Sequence, residues 1–156
     1  MARGCAAGPY GGERGLNLPS GAEGMIYICV LNYANAVDTM ACCASLLRLT
    51  EQDFRILLID NASPDGSRAR LADYAVKHPD RVVFFPLEQN RGYAAGNNAA
   101  LRYPLAQPDF TYAWVLNNDT IVEPDALTWL VRYMEEHPEV GLCGSRLVYA
   151  WDRSRI

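Results

Sequence analysis

The chain has 156 residues, half of them apolar and 21% charged, which suits one ordinary globular domain rather than two. Its 18 acidic residues against 14 basic ones leave a net charge of −4, and the basic residues are scattered, with Lys77 the only lysine, which argues against nucleic acid as the partner. No apolar run approaches the roughly 20 residues of a membrane-spanning helix, and the N-terminus carries no secretion signal; the expectation is a cytoplasmic protein, still compatible with peripheral contact at the inner face of a membrane.

Residues 1–24 are rich in Gly, Ala and Pro and read as a disordered leader, so order is expected over residues 25–156. Met25 to Leu31 is a nearly continuous apolar run, the pattern of a strand covered on both faces. A helix is predicted from about Val37 to Leu49, with Val37, Met40, Cys43 or Ala44, and Leu47 on its buried face. Phe54 to Ile59 is the next strand and delivers Asp60 and Asn61 at its end. Residues 62–67 (ASPDGS) form a turn, and a helix follows from about Ser67 to His78, stopped by Pro79.

Arg81 to Phe85 is the third strand, rich in β-branched and aromatic residues. Gln89 to Asn98 is rich in glycine and asparagine and continues into a helix ending near Tyr103-Pro104. Tyr112 to Leu116 is the fourth strand and hands over to Asn117-Asn118-Asp119-Thr120. A last helix starts at Pro124, its apolar face made by Leu127, Leu130, Val131 and Met134. Val140 to Tyr149 reads as a final strand, weakened by Gly141 and Gly144.

Buried strands joined by helical crossovers predict an α/β fold with a mainly parallel sheet and helices on both faces. Ligands of such sheets bind beyond the carboxyl ends of the strands. That rule selects Asn32-Tyr33, Asp60-Asn61 and Asn117-Asn118-Asp119, which all fall on one edge of the sheet. Cys5, Cys29, Cys42, Cys43 and Cys143 are odd in number and have no metal spacing, so they read as free thiols. His78 and His137 each precede a proline at a helix end, which gives them a place at helix C-termini rather than in a metal site.

At a strand mouth, the Asp60 carboxylate is suited to accept from a base N–H or a ribose hydroxyl, or else it caps the ASPDGS turn. Asp65 has the same alternative as a turn or N-cap residue. Asp119, flanked by two carboxamides and a threonine, offers a hard oxygen ligand for Mg²⁺ or Mn²⁺ held jointly with a diphosphate; the alternative is a plain turn. Gly92-Tyr93-Ala94-Ala95-Gly96 permits close backbone approach or a helix-packing contact. Neither GxGxxG after a strand nor GxxxxGK[ST] is present, which argues against a dinucleotide fold and a P-loop enzyme. No Ser-His-Asp or Cys-His arrangement can be assembled.

Four ordered stretches carry a resemblance: Val30-Leu31-Asn32-Tyr33, Ile59 through Ser67 (IDNASPDGS), Asn90 through Asn98 (NRGYAAGNN), and Trp114 through Thr120 (WVLNNDT). Together they resemble the family 2 glycosyltransferases, nearest to the rhamnosyltransferase-like branch. The resemblance implies a GT-A fold, of which this chain would hold the N-terminal, donor-binding half, an incomplete domain. It implies that Asn32, Tyr33, Asp60 and Asn61 line the pocket for base and ribose, and that Asp65 helps fix the nucleotide. Asn90, Arg91, Gly92, Asn97 and Asn98 would pack beside the nucleotide and sugar. Asn117-Asn118-Asp119 occupies the place of the DxD motif, with Asn118 at the donor and Asp119 as ligand of Mg²⁺ or Mn²⁺.

Two positions depart from the family's pattern. Asn117 replaces the first Asp of DxD and leaves less negative charge for the metal. Ala34 stands where a second Asn is usual, with Asn35 one place along. The resemblance further implies transfer from a UDP- or dTDP-linked sugar, rhamnose among the candidates, to a hydroxyl of a saccharide or lipid-linked acceptor, with inversion. The general base would come from the second half of such a domain, and no residue here is nominated for it. Two other readings stay open: a non-catalytic nucleotide-sugar-binding fragment, and an α/β interaction domain without enzymatic role. An incomplete sheet would leave an exposed edge open to self-association.

Overall fold

The computed structural model describes residues 24–149 and Asp152; the leader expected over residues 1–24 lies, but for Gly24, outside them. The sheet has four strands: β1 (Met25–Asn32), β2 (Phe54–Asp60), β3 (Val82–Pro86) and β4 (Phe110–Asn117). Their order is β3-β2-β1-β4 and every pairing is parallel. The helices are α1 (Ala36–Leu46), α2 (Ser67–Val76), α3 (Tyr93–Leu101) and α4 (Ala126–Glu136), with a short 3₁₀ turn at Pro104–Ala106. This is the α/β architecture expected of the chain, a parallel sheet with helices on both faces.

Alternation along the central strands builds two apolar layers. Ile26, Ile28 and Val30 of β1 and Phe54, Ile56 and Leu58 of β2 point to one face, where Cys42, Cys43 and Leu46 of α1, Leu71 and Ala75 of α2 and Leu127 of α4 cover them. Tyr27, Cys29, Leu31, Leu57 and Ile59 point to the other, beneath Ala100 of α3, Leu101 and Tyr103. β1 and β2 are thus buried on both sides, as their continuous apolar runs require. β4 is not: Tyr112, Trp114 and Leu116 pack into the first layer, but Ala113 and Val115 on its opposite face are exposed. Cys29, Cys42 and Cys43 are free and buried, and Cys143 is half-buried; Cys5 lies outside the described residues.

Three expectations are corrected. Val37 does not sit on the buried face of α1 but is 61% exposed; Ala36, Thr39, Cys42, Cys43, Ser45 and Leu46 face inward. The helix is rotated by about one residue because two hydroxyls are satisfied inside: Thr39 bonds Asn32, and Ser45 bonds the Cys42 carbonyl and the Val122 amide. The last helix begins at Ala126, not Pro124, whose carbonyl instead accepts from the backbone and hydroxyl of Thr50. Val140 to Tyr149 joins no strand ladder among the described residues and makes only an isolated bridge from Tyr149 to Asp152. Its first residues flank α4 instead: Val140, Leu142 and Cys143 line an open cleft of about 930 Å³ with Trp129 and Tyr133, while Leu142, Leu147, Val148 and Tyr149 are exposed.

Candidate functional site

Parallel register sets the site. Asn32 is the register partner of Asp60, and Leu31 that of Asn117, so the last residues of β1, β2 and β4 come level at one edge. The backbone amide of Asn61 bonds the Asn32 carbonyl and that of Leu87 bonds the Asp60 carbonyl, carrying the pairing just past the strand ends.

Asn32 and Asp60 are fully buried and bonded to each other. The Asn32 amide donates to Asp60 Oδ1 at 3.1 Å and to Ser63 Oγ at 2.9 Å. Its oxygen accepts from Thr39 Oγ1 at 2.8 Å and from the Asn35 amide at 3.2 Å. Asp60 Oδ2 accepts from the Ser63 amide at 3.3 Å and lies 3.9 Å from Arg68 Nε. Ser63 Oγ also accepts from the Ala34 amide at 3.0 Å, which joins the β1 and β2 loops. Both loops turn through a left-handed residue that is not glycine, Ala34 at φ 55° and Ala62 at φ 58°.

Beside this buried knot lies a second group around α3. Asn61, 2% exposed, donates to Asn90 Oδ1 at 2.9 Å, and the same oxygen accepts from the Gly92 amide at 2.8 Å. Gly96 is buried against β1, where an added Cβ would strike Leu31 Cδ1 and come within 3.4 Å of Asn61 Oδ1. Close approach is therefore the role of this glycine. Asn97 donates to the Tyr93 carbonyl at 3.1 Å, while Asn61 Oδ1 and Asn97 Oδ1 are buried without a hydrogen-bond partner. A cleft of about 480 Å³ opens here, lined by Asn61, Arg91, Gly96, Asn98 and Arg102 among others.

The loop after β4 closes the third side. Tyr93 Oη donates to Asn117 Oδ1 at 3.1 Å, and Asn118 Nδ2 donates to Thr39 Oγ1 at 2.8 Å. Cys42 sits behind the loop, its thiol directed at the Asn117 carbonyl at 3.7 Å. Burial pushes that thiol up to about 12, and the charge of Asp119 adds to the effect. Asp119 itself is exposed, and among the described residues no hydrogen bond or ion pair holds its carboxylate. No cluster of three or more His, Cys, Asp or Glu residues placed to hold a metal occurs among the described residues. A cation here would have one protein carboxylate, with carboxamide oxygens nearby. That hard-oxygen set fits Mg²⁺ or Mn²⁺ only where a diphosphate and water complete the shell.

The structure therefore brings Asn32, Asp60 and Asn118, joined through Thr39, into one bonded group and Asn61, Asn90 and Gly92 into a second beside it, with Asn97 bonded to the Tyr93 carbonyl and Arg91 and Asn98 on the adjoining cleft. Tyr33, the residue after Asn32, is 49% exposed. Asp65 stands apart on the surface: its carboxylate accepts from the Ser67 amide at 3.1 Å at the start of α2, and hydrogen bonding from Ser67, its side chain first and its backbone second, holds its pKa below the usual carboxylate value. Ser63, Thr39, Tyr93 and Arg68 were not foreseen as site residues. Ser63 and Tyr93 lie inside the recognised motifs, whereas Thr39 sits in the first turn of α1, outside any of them.

Known proteins resemble this chain. The sequence profile described as glycosyl transferase family 2 matches residues 26–156. A poly-β-1,6-N-acetyl-D-glucosamine synthase of Staphylococcus aureus (strain COL) is 26% identical over 121 residues, 76% of this chain and 27% of that protein. The Staphylococcus epidermidis enzyme of the same name shares 26% over the same coverage. The chain thus spans about a quarter of the length of these relatives. Among solved structures, the mannosyltransferase PcManGT from Pyrobaculum calidifontis, in complex with GDP-Man and Mn²⁺, superimposes with a TM-score of 0.61 at 20% identity, over 70% of this chain and 32% of that one. S. aureus TarS in complex with UDP-GlcNAc gives 0.60 at 19% identity, over 73% and 32%.

Proposed function

The chain belongs to glycosyl transferase family 2, and we propose on that premise that its strand-end assembly is the donor site for a nucleoside-diphosphate sugar. The observation that carries this reading is the levelling of Asn32, Asp60 and Asn117 at one edge of a parallel sheet, with Asp119 left exposed and unengaged beside them. The buried Asn32–Asp60–Ser63 knot shapes the two loops, and Tyr33 with Asn61 presents the surface for base and ribose. Asp65, apart from this assembly, would help fix the nucleotide. Asn90, Arg91, Gly92, Asn97 and Asn98 would border the nucleotide and sugar.

Asp119, with Asn118 at its side, would hold Mg²⁺ or Mn²⁺ jointly with the diphosphate. Such an ion offsets the charge that develops on the leaving nucleotide. The reaction proposed is transfer of a UDP- or dTDP-linked sugar, rhamnose among the candidates, to a hydroxyl of a saccharide or lipid-linked acceptor, with inversion. The GDP-Man and Mn²⁺ of the mannosyltransferase and the UDP-GlcNAc of TarS support a metal-assisted nucleotide-sugar site on this fold. Work at the cytoplasmic side of a membrane, by peripheral contact, accords with such an acceptor; no helix of the described residues is long and apolar enough to cross one.

A second reading, donor binding without turnover, is favoured by the state of the strand-end carboxylates. Asp60 is occupied by Asn32 and Ser63, and Asp119 is assigned to the metal, so neither is available as general base. Titration with UDP and dTDP, each with and without Mn²⁺, on the chain and on Asp119→Ala tests both. The donor-site reading expects nucleotide binding strengthened by Mn²⁺, with the strengthening lost in Asp119→Ala. Absence of binding by either nucleotide refutes it. Binding without hydrolysis or transfer selects the second reading.

A further inference from the structure

We propose that Thr39 is a positioning residue that ties the Asp119 loop to the nucleotide end of the site. This inference rests on the donor-site reading and adds a residue outside the recognised motifs. Thr39 lies in the first turns of α1 and is fully buried. Its hydroxyl oxygen stands 2.8 Å from Asn118 Nδ2, 2.8 Å from Asn32 Oδ1 and 2.8 Å from the Asn35 carbonyl. A hydroxyl has one proton to donate and lone pairs to accept with. The Asn118 amide can only donate, so the Thr39 oxygen accepts there, and its proton goes to Asn32 or Asn35.

The result is a chain of contacts. Asn118 donates to Thr39, whose hydroxyl stands within hydrogen-bond reach of both Asn32 Oδ1 and the Asn35 carbonyl, and Asn32 donates through its amide to Asp60 and Ser63. It links the ends of β4, β1 and β2 through a side chain from a helix. The two ends of this chain depend on Thr39 unequally. Asn32 keeps the Asn35 amide, Asp60 and Ser63 if the hydroxyl is removed. Asn118 has its one side-chain bond among the described residues to Thr39. Loss of the hydroxyl therefore frees the carboxamide next to Asp119 and leaves the nucleotide loops tied. The effect falls on metal-linked binding, not on binding as such.

The test is the gain in UDP and dTDP affinity produced by Mn²⁺, measured by calorimetric titration on the whole chain. Variants are Thr39→Val, Thr39→Ser, Thr39→Cys, Asn118→Ala and the double variant Thr39→Val/Asn118→Ala, each with its thermal midpoint recorded. Thr39→Val should lower the Mn²⁺-linked gain about tenfold, the scale of one lost hydrogen bond, with metal-free affinity changed less than about twofold. Thr39→Ser should keep the gain. The double variant should lose no more than the larger single loss, because both changes cut one connection. Thr39→Cys, in a helix that already buries Cys42 and Cys43, should behave as Thr39→Val does and serves if the valine variant does not fold. A retained Mn²⁺ gain in Val and Cys, an equal loss in Ser, or a parallel loss of metal-free binding overturns the proposal and leaves the donor-site reading standing. Failure of the parent chain to bind either nucleotide refutes both.

Discussion

Asp60→Asn separates the two carboxylates of the site, one built into the fold and one free of it. Asp60 Oδ1 accepts from Asn32 Nδ2 and Oδ2 from the Ser63 amide, both out of solvent. A carboxamide keeps one acceptor oxygen and turns an NH₂ toward the other donor. One hydrogen bond to a charged group is lost, about 1.5–3 kcal/mol, and a buried donor is left facing a donor. The Arg68 contact adds little: at 3.9 Å, on a side chain 42% exposed, it contributes less than about 1 kcal/mol. Relief from burying a charge acts in the opposite direction and offsets part of the loss.

The net expectation is a destabilisation of about 2 kcal/mol, a fall of about 4–8 °C in thermal midpoint. In urea it corresponds to about 1 M in the unfolding midpoint at unchanged slope. Asp119→Asn, measured alongside, should stay within about 0.5 kcal/mol, because an exposed carboxylate with no protein partner among the described residues is being replaced. Its effect should appear only in Mn²⁺-linked nucleotide binding. Equal stability of Asp60→Asn and the parent would refute the assignment of Asp60 to the fold. A loss in Asp119→Asn as large as that of Asp60→Asn would refute the distinction between them.

Three further outcomes follow from local geometry. Burial raises the thiols of Cys29 and Cys42 to about 12 and that of Cys43 further still. Alkylation at pH 8 should therefore mark half-buried Cys143 before any of these three, as peptide mapping by mass spectrometry would show; equal labelling of Cys42 would count against it. Because their folded pKa values are raised, these groups contribute full stability below the unfolded thiol value of about 8.5, and the contribution falls as pH rises from there toward about 12. Ala34→Asn should stabilise the chain by about 0.5 kcal/mol in urea unfolding, since Asn tolerates the φ of 55° better than Ala; a loss would show that the exposed loop depends on the methyl group. Gly96→Ala should destabilise by about 1 kcal/mol despite the helical preference for Ala: the contact with Leu31 costs about 1–3 kcal/mol against a gain of about 1, and a more stable variant would show that Leu31 can move aside.

The strands were the most legible part of the fold, and the reason is physical. β1 and β2 are buried on both faces, so β1 is apolar without a break from Met25 to Leu31 and β2 from Ile56 to Ile59, after the exposed Arg55, and such runs have few other uses. The face of α1 was less legible because hydropathy ranks Val37 above Thr39, while the fold ranks them by hydrogen bonding. A threonine with partners inside is cheaper to bury than the period suggests. Val140 to Tyr149 failed for another reason. β propensity describes a residue's fit to a pleated, packed surface, and that segment joins no ladder among the described residues.

At the site, the location was legible and the division of labour was not. Polar residues after buried strands mark the carboxyl edge of a parallel sheet whatever they bind, so Asn32, Asp60, Asn61 and Asp119 could be placed together from their positions alone. Residue type does not say whether a side chain faces the ligand or its neighbours, because an asparagine suited to hold a ribose is equally suited to hold an aspartate. Register decides between these. Asn32 and Asp60 are directly opposed on adjacent strands and share a buried hydrogen bond, whereas Asp119 lies two residues beyond the last paired position of β4, where no hydrogen bond or ion pair among the described residues holds its carboxylate. The carboxylate deepest in the motif is therefore the one that shapes the site. The one beyond the strand end, Asp119, stays exposed. Thr39 extends the same logic: once the strand ends are occupied by one another, the connection from Asn32 to the Asp119 loop comes from the helix that leaves β1.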